Sequence, residues 1–284
     1  MAAVALLAAL AFAATAAAKA PSGKYSVFGQ CPRFTPGVTR CLYSETTSGE
    51  VKIGKQTVPI TNPIVLQGGT TRNEETEAET FVGALNGETL SKSPQNVPGG
   101  LLDIVNCQEF SNPLVKIPCE LVFENGLTGV KATTELARPA SEIGINTNNL
   151  VNEEGVALSL PVKVKLENPF LGGECYIGSS SKPIILNLTT GTTKPPPPNK
   201  PIKGKSGFFS TEEEANFIEI TENTLVDNSF SAPEATGCGG IFSGLVDPVV
   251  DSKLGLPSAA GNNTAIENNL IKLATAEAVV NSEK

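Results

Sequence analysis

The chain has 284 residues, 29 of them acidic and 21 basic, for a net charge of −8. Such a surface repels nucleic acid and anionic lipid. Histidine is absent, which removes the usual general base, the commonest zinc ligand and the neutral-pH switch, and with them Ser-His-Asp hydrolases and His-ligated metalloenzymes. Tryptophan is also absent and tyrosine occurs three times, which weakens both an aromatic-girdled membrane barrel and a sugar-stacking module.

Residues 2–18 form one uncharged, Ala-rich apolar run that ends in small residues. It is too short to hold a bilayer span and reads as the core and cleavage site of a secretory signal peptide. Only Met1 precedes it, where a basic segment is expected, so the signal is atypical or the start codon lies too late. Residues 1–18 are assigned to the signal, and the mature chain is expected to begin near Lys19 or Pro21.

Beyond it, strand signals dominate. Short β-branched runs at 51–53, 57–60, 64–66, 121–123 and 217–220 are bounded by Gly, Pro or Asn, as strand ends are. A two-residue period runs through 128–137 and through Ile184, Leu186 and Leu188. It is most regular from 156 to 166, where Val156, Leu158, Leu160, Val162, Val164 and Leu166 alternate with less apolar residues; this predicts a half-buried strand. Pro161 within it predicts an edge or a bulge. Helical signals are few: one turn within 98–105, and a stretch at 241–254 that Pro248 interrupts and that is read as a loop-borne short helix at most. The expected fold is mainly β, an antiparallel β-sandwich. The segments starting at Asn62-Pro-Ile-Val-Leu and Lys182-Pro-Ile-Ile-Leu echo each other. Two related β halves would explain this, 19–140 and 141–284, the second containing the Pro-rich stretch 194–201.

Several motifs resemble functional sites and fail on chemistry. Gly204-Lys205-Ser206 has Asn199 where a phosphate loop requires its first glycine. Ser179 and Lys182 have Ser-x-x-Lys spacing, but Pro183 and a strand follow where an acyl-enzyme needs a helix. Leu256-Pro-Ser-Ala-Ala lacks the Thr-Gly of a sortase signal. Glu74, Glu75, Glu77 and Glu79, and Glu212 to Glu214, lack the spacing of a calcium loop and read as solvated charge. No catalytic, cofactor-binding or metal-ligating residue is assigned, and no cofactor is expected. With no histidine to titrate, stability is expected to change little between pH 6 and 8.

Six cysteines, Cys31, Cys41, Cys107, Cys119, Cys175 and Cys238, in an exported chain predict disulfides. Fifteen connectivities are possible; closing the shortest loops pairs Cys31 with Cys41, Cys107 with Cys119 and Cys175 with Cys238. The last pairing encloses the Lys194–Pro201 proline run in a covalent loop and makes it a surface excursion rather than an interdomain linker.

The segment Gly173-Glu-Cys-Tyr-Ile-Gly, with Pro183-Ile-Ile-Leu-Asn-Leu-Thr-Thr-Gly-Thr-Thr, Gly237-Cys-Gly-Gly and Leu256-Pro-Ser-Ala-Ala-Gly-Asn-Asn-Thr-Ala, resembles an uncharacterised group of secreted actinobacterial proteins, mainly over the C-terminal half. The resemblance implies export and a disulfide-bearing β fold, and carries no activity or site. The leading expectation is a secreted, non-enzymatic β-sandwich with an extracellular or cell-envelope structural or interaction role and a protein partner there, with no nucleic acid and no membrane span after signal cleavage. The alternatives are an extracellular hydrolase using carboxylates or a Ser-Lys pair, and an envelope pore-forming β protein.

Overall fold

The computed structural model describes residues 19–100, 111–113, 116–117, 129–211 and 216–284. The signal segment 1–18, the core of the turn expected within 98–105, the run 121–123, Glu212 to Glu214 and the Cys107–Cys119 pairing lie outside the described residues.

Fourteen strands are described: β1 (Val38–Ile53), β2 (Gln56–Ile60), β3 (Ile64–Arg72), β4 (Glu79–Gly83), β5 (Gln95–Val97), β6 (Val130–Leu136), β7 (Gly144–Ile145), β8 (Leu158–Glu167), β9 (Tyr176–Ile177), β10 (Ile184–Leu188), β11 (Phe208–Thr211), β12 (Phe217–Asp227), β13 (Ala235–Thr236) and β14 (Thr264–Thr275). They form two antiparallel sheets, ordered β11-β12-β14-β1-β3-β4 with β2 beside β1, and β13-β9-β8-β6-β5 with β7 and β10 beside β8. The chain is thus mainly β, with few short helices. Both sheets take strands from either side of residue 141, and the echoing segments become β3 in one sheet and β10 in the other.

The first sheet is organised by β1, which is 16 residues long. One of its edges pairs with β14 along nearly its whole length, and the other pairs first with β3 and then with β2. β1 and β2 are joined by Gly54 and Lys55 alone, and a two-residue hairpin loop demands left-handed backbone. Gly54 supplies it with φ 58°. A side chain there would also meet the Leu254 carbonyl at 2.2 Å, so only glycine lets this turn pack against the chain behind it.

The second sheet is organised by β8. Leu158, Leu160, Val162 and Leu166 are buried as their even spacing predicts, whereas Val156 lies outside the strand and is exposed. Pro161 does not mark an edge: β8 is flanked by β6 and β7 on one side and by β9 and β10 on the other. The Pro161 carbonyl accepts from Ala137 N at 2.9 Å, just beyond the last β6 pair. A strand residue's N–H and C=O point to the same side, so the donor that proline lacks would face the frayed end of β6, where little is lost.

The inner faces enclose the main apolar core, which includes the Cys175–Cys238 disulfide. A smaller cluster on the outer face of the first sheet holds Phe28, Phe217, Val279 and the Cys31–Cys41 disulfide. It is covered by the 3-10 turn Gly23–Phe28 and by a C-terminal helix, Ala276–Asn281. The two ends of the described chain meet there. Arg33, whose side chain is 3% exposed, pairs with Glu283 at 2.5 Å, and its guanidinium also donates to the carbonyls of Lys19, Gly29 and Cys31.

The proline run is held to the body. Asn199 Nδ2 donates to the carbonyls of Asn228 (3.0 Å) and Asn263 (2.8 Å), and Asn228 Nδ2 donates to the Lys200 carbonyl at 2.8 Å.

The α-helices described from end to end are, in chain order, α1 (Thr147–Asn152), α2 (Ser243–Leu254) and the C-terminal α3 (Ala276–Asn281). The sequence expectation for 241–254 is corrected by α2, a continuous helix of 12 residues with Pro248 inside it. Pro248 forfeits one backbone bond, and tertiary bonds compensate. Asp251 accepts from Ala235 N at 2.7 Å, and Asp247 accepts from Gly237 N at 3.2 Å and Cys238 N at 2.7 Å. These two carboxylates, four residues apart on one helix face, fasten α2 to the strand and disulfide segment before it.

Candidate functional site

Two features stand out, one on the surface and one internal. Asp247 and Asp251 fix which way α2 faces. Val250 is buried with Val246 and Leu254 packed against the core, while Leu245 and Val249 point outward. With the preceding turn they form an exposed apolar ridge: Ile241 is 94% exposed and Leu245 74%, and Phe242, Val249 and Phe170 are also exposed. Beside the ridge a groove of about 570 Å³ runs between α2 and the second sheet, lined by Val97, Val130, Leu166 and Phe170 among others. Scattered apolar residues on a surface are ordinary, but a contiguous patch marks an interaction site.

The internal feature lies between the sheets. A cavity of about 60 Å³ is walled by aliphatic side chains of both sheets, including Val51, Ile64, Leu160 and Val164. Among the described residues, its one ionisable lining residue is Glu267. On β14 the alternate residues Ala265, Glu267, Asn269, Ile271 and Leu273 share one face by the strand period, and all but Glu267 are classed as buried. Asn269 is satisfied there: its Oδ1 accepts from Thr46 at 2.7 Å and its Nδ2 donates to Asn223 Oδ1 at 3.2 Å.

Glu267 is not satisfied. Among the described residues no hydrogen bond or ion pair reaches its carboxyl, and burial alone pushes its pKa from 4.5 to about 7. Glu267 keeps some accessible surface and lines the cavity. Its register partner on β1 is Gly49, at φ 137°, where a side chain would meet the Ile266 carbonyl at 2.0 Å. Desolvation thus places one carboxyl near the pH range in which the absence of histidine predicts little change.

Three other acids are shifted for structural reasons, among them Glu234, lowered by a backbone hydrogen bond and by Lys182. Asp227 accepts from Asn187 N at 2.7 Å and Ser229 N at 2.8 Å, clasping β12 to β10 across the sandwich; burial raises its pKa against the lowering by those two bonds. Glu153 is held down to about 2, first by Lys203 and then by the Ser206 N–H and hydroxyl.

The motifs rejected on sequence resolve into structural roles. Lys205 exchanges both backbone bonds with Thr224, and the neighbouring Ser206 caps Glu153. Ser179 Oγ accepts from Lys182 N at 3.1 Å, while Lys182 Nζ turns to Glu234 at 3.0 Å. Arg72 pairs with Glu77 at 3.0 Å, and Glu79 accepts from the N–H and hydroxyl of Thr147. Cys31 is bonded to Cys41 and Cys175 to Cys238, with Cα separations of 5.5 and 4.1 Å. Sequence reasoning missed Glu267 and the α2 ridge. The available signals were a lone acid between Ile266 and Asn268, and apolar residues at 241, 242, 245 and 249 either side of a proline.

Comparison with known protein families, with curated proteins and with solved structures finds no match to this chain. The class rests on the architecture alone: a disulfide-bonded, two-sheet β protein, in which no described helix is long and apolar enough to cross a membrane.

Proposed function

We propose that the protein is an exported, non-enzymatic β-sandwich module that works in the extracellular space or cell envelope by engaging a protein partner through the α2 ridge. The observation that carries this is the ridge itself: Ile241, Phe242, Leu245 and Val249 are held outward by a helix whose carboxylates fix its orientation. Two disulfides support an oxidising compartment. Close to the expected cleavage site, the Lys19 carbonyl accepts from Arg33 and Pro21 bridges to Glu283. The resemblance to secreted actinobacterial proteins points the same way. Binding rather than catalysis is favoured because Glu267 has no second ionisable group on its cavity wall and the Lys182 amine is turned away from Ser179. A pore would need strands closing into one barrel, whereas the described strands form two packed sheets.

The test is fractionation of the organism that makes the protein, comparing wild type with Ile241→Asp/Leu245→Asp. Both residues are exposed, so the fold should tolerate the change. The expected result is a mature N-terminus near Lys19 or Pro21, retention of wild type on its envelope partner, and release of the folded variant into the medium. A cytosolic protein retaining Met1, or identical fractionation of the two, would overturn the proposal.

A further inference from the structure

The two edges of the first sheet differ. At one, β4 is covered: Glu79 accepts from Thr147, and Gly83 lies against Ala140. At the other, β11 pairs with β12 alone among the described residues, and all four of its residues are exposed, Phe208 at 67% and Phe209 at 41%. Such an edge offers unpaired backbone groups to another strand. Which groups are open follows from the register. Lys205 exchanges both backbone bonds with Thr224, and Phe208 stands opposite Thr221 in the same register. The bonding side alternates along an antiparallel strand, so Gly207, Phe209 and Thr211 face β12, while Phe208 and Ser210 turn their N–H and C=O outward. Ser206, next in that alternation, also faces out, and it donates its N–H to Glu153 at 3.1 Å.

We propose that β11 is a dimerisation edge, which pairs antiparallel with β11 of a second copy of this chain about a two-fold axis at Phe209. In that register Phe208 stands opposite Ser210 of the second copy and Ser210 opposite its Phe208. The outward N–H and C=O groups of both residues then find partners. Phe209 meets Phe209 of the second copy across the axis. That is the non-hydrogen-bonded position, where side chains come closest and an aromatic pair stabilises the strands that carry it. The first sheets of the two copies become one continuous sheet.

Charge selects a second copy as the occupant. Two chains of net charge −8 repel each other, so association needs opposite charges placed locally. The sequence supplies them in mirror order: Lys203 and Lys205 precede β11, and Glu212, Glu213 and Glu214 follow it. Antiparallel pairing sets the basic end of one copy beside the acidic end of the other, whereas parallel pairing would set like charges together. The two-fold at Phe209 places Lys205 opposite position 213. Lys203 is held by Glu153 at 2.8 Å, while no ion pair among the described residues engages Lys205. Opposite charges directly across a strand pair stabilise it, and like charges there destabilise it. A four-residue edge is a small interface, so the dimer should form and dissociate with concentration.

The test is analytical ultracentrifugation of the mature protein from micromolar to millimolar concentration, where wild type should pass from monomer to dimer. Ser210→Pro removes an N–H that faces away from β12, a change an edge strand tolerates. It deletes one outward donor from each copy and should weaken the dimer about tenfold or more. Lys205→Glu should weaken it as well, and Lys205→Glu/Glu213→Lys should restore it to within about threefold of wild type. Ile241→Asp/Leu245→Asp should dimerise like wild type, which separates this edge from the ridge. In wild type alone, carbodiimide cross-linking of mixed ¹⁴N and ¹⁵N chains should join Lys205 of one isotope to the 212–214 peptide of the other, so the test survives a variant that folds poorly. A wild type monomeric throughout, a folded Ser210→Pro that dimerises normally, failure of the charge swap to restore the dimer, loss of the dimer in the ridge variant, or no mixed-isotope cross-link would each overturn the assignment.

Discussion

Stability should fall as pH rises from about 4.5 to about 7, and Glu267 should be the cause. Its carboxyl has an ordinary pKa of 4.5 when exposed and one of about 7 in the fold, raised by burial alone. Between these values the folded state holds a proton that the unfolded state has released. Each pH unit in that window therefore removes about 1.4 kcal/mol of unfolding free energy. The whole window is worth roughly 3 kcal/mol, a large share of a typical domain's stability. The loss is nil below pH 4.5 and complete above about 7. Asp227, also raised, acts in the same direction, whereas the lowered Glu153 adds stability only from about pH 2 to 4.5 and is fully engaged above that. The difference between wild type and Glu267→Gln isolates the one residue. Urea unfolding followed from pH 4.5 to 8 should show wild type losing stability relative to Glu267→Gln by roughly 3 kcal/mol. Parallel profiles for the two proteins would refute the reasoning.

Removing one partner of the buried Arg33–Glu283 pair, as in Glu283→Ala, leaves an uncompensated charge beside the Cys31–Cys41 disulfide; chemical denaturation should register a loss of about 3–5 kcal/mol. The Cys175–Cys238 bridge spans 63 residues. Replacing both cysteines should cost about 4 kcal/mol by loop entropy, and protease cleavage within 195–207 should leave wild-type fragments joined until reductant is added; fragments that separate without reductant would contradict the bridge. Gly54→Ala forces a side chain into left-handed backbone and against the Leu254 carbonyl, and thermal melts should show a loss greater than about 1 kcal/mol.

The parts of this fold legible in the sequence are those where one chemical face is uniform. β8 and β10 were readable because Leu158, Leu160 and Val162, and Ile184, Leu186 and Leu188, are apolar at every second position and meet the core on that face. β1 and β14, the central pair of the first sheet, were not. β1 turns Ser44 and Thr46 inward, and β14 turns Glu267 and Asn269 inward while Ile266 and Leu270 sit on its other face, so the two-residue period is blurred on both. The same polar inward residues build the candidate cavity. Strand detection and site detection therefore failed together, because a buried acid looks like a surface acid until the register is known. Helix α2 was hidden by Pro248, whose cost is met by Asp247 and Asp251 bonding to a segment nine to sixteen residues earlier. The edge placement of Pro161 failed because proline needs only a missing partner on one side, and the end of β6 supplies that inside a sheet.

The account turns on Glu267 being an unpartnered carboxyl on the inner face of β14, and the most direct measurement is a ¹³C NMR titration of its side-chain carboxyl, assigned by its loss in Glu267→Gln. A midpoint near pH 7 is the expected result, with the resonance insensitive to salt because no exposed charge sets it. A midpoint near 4.5, the value of a solvated glutamate, would contradict both the desolvation of Glu267 and the pH dependence of stability.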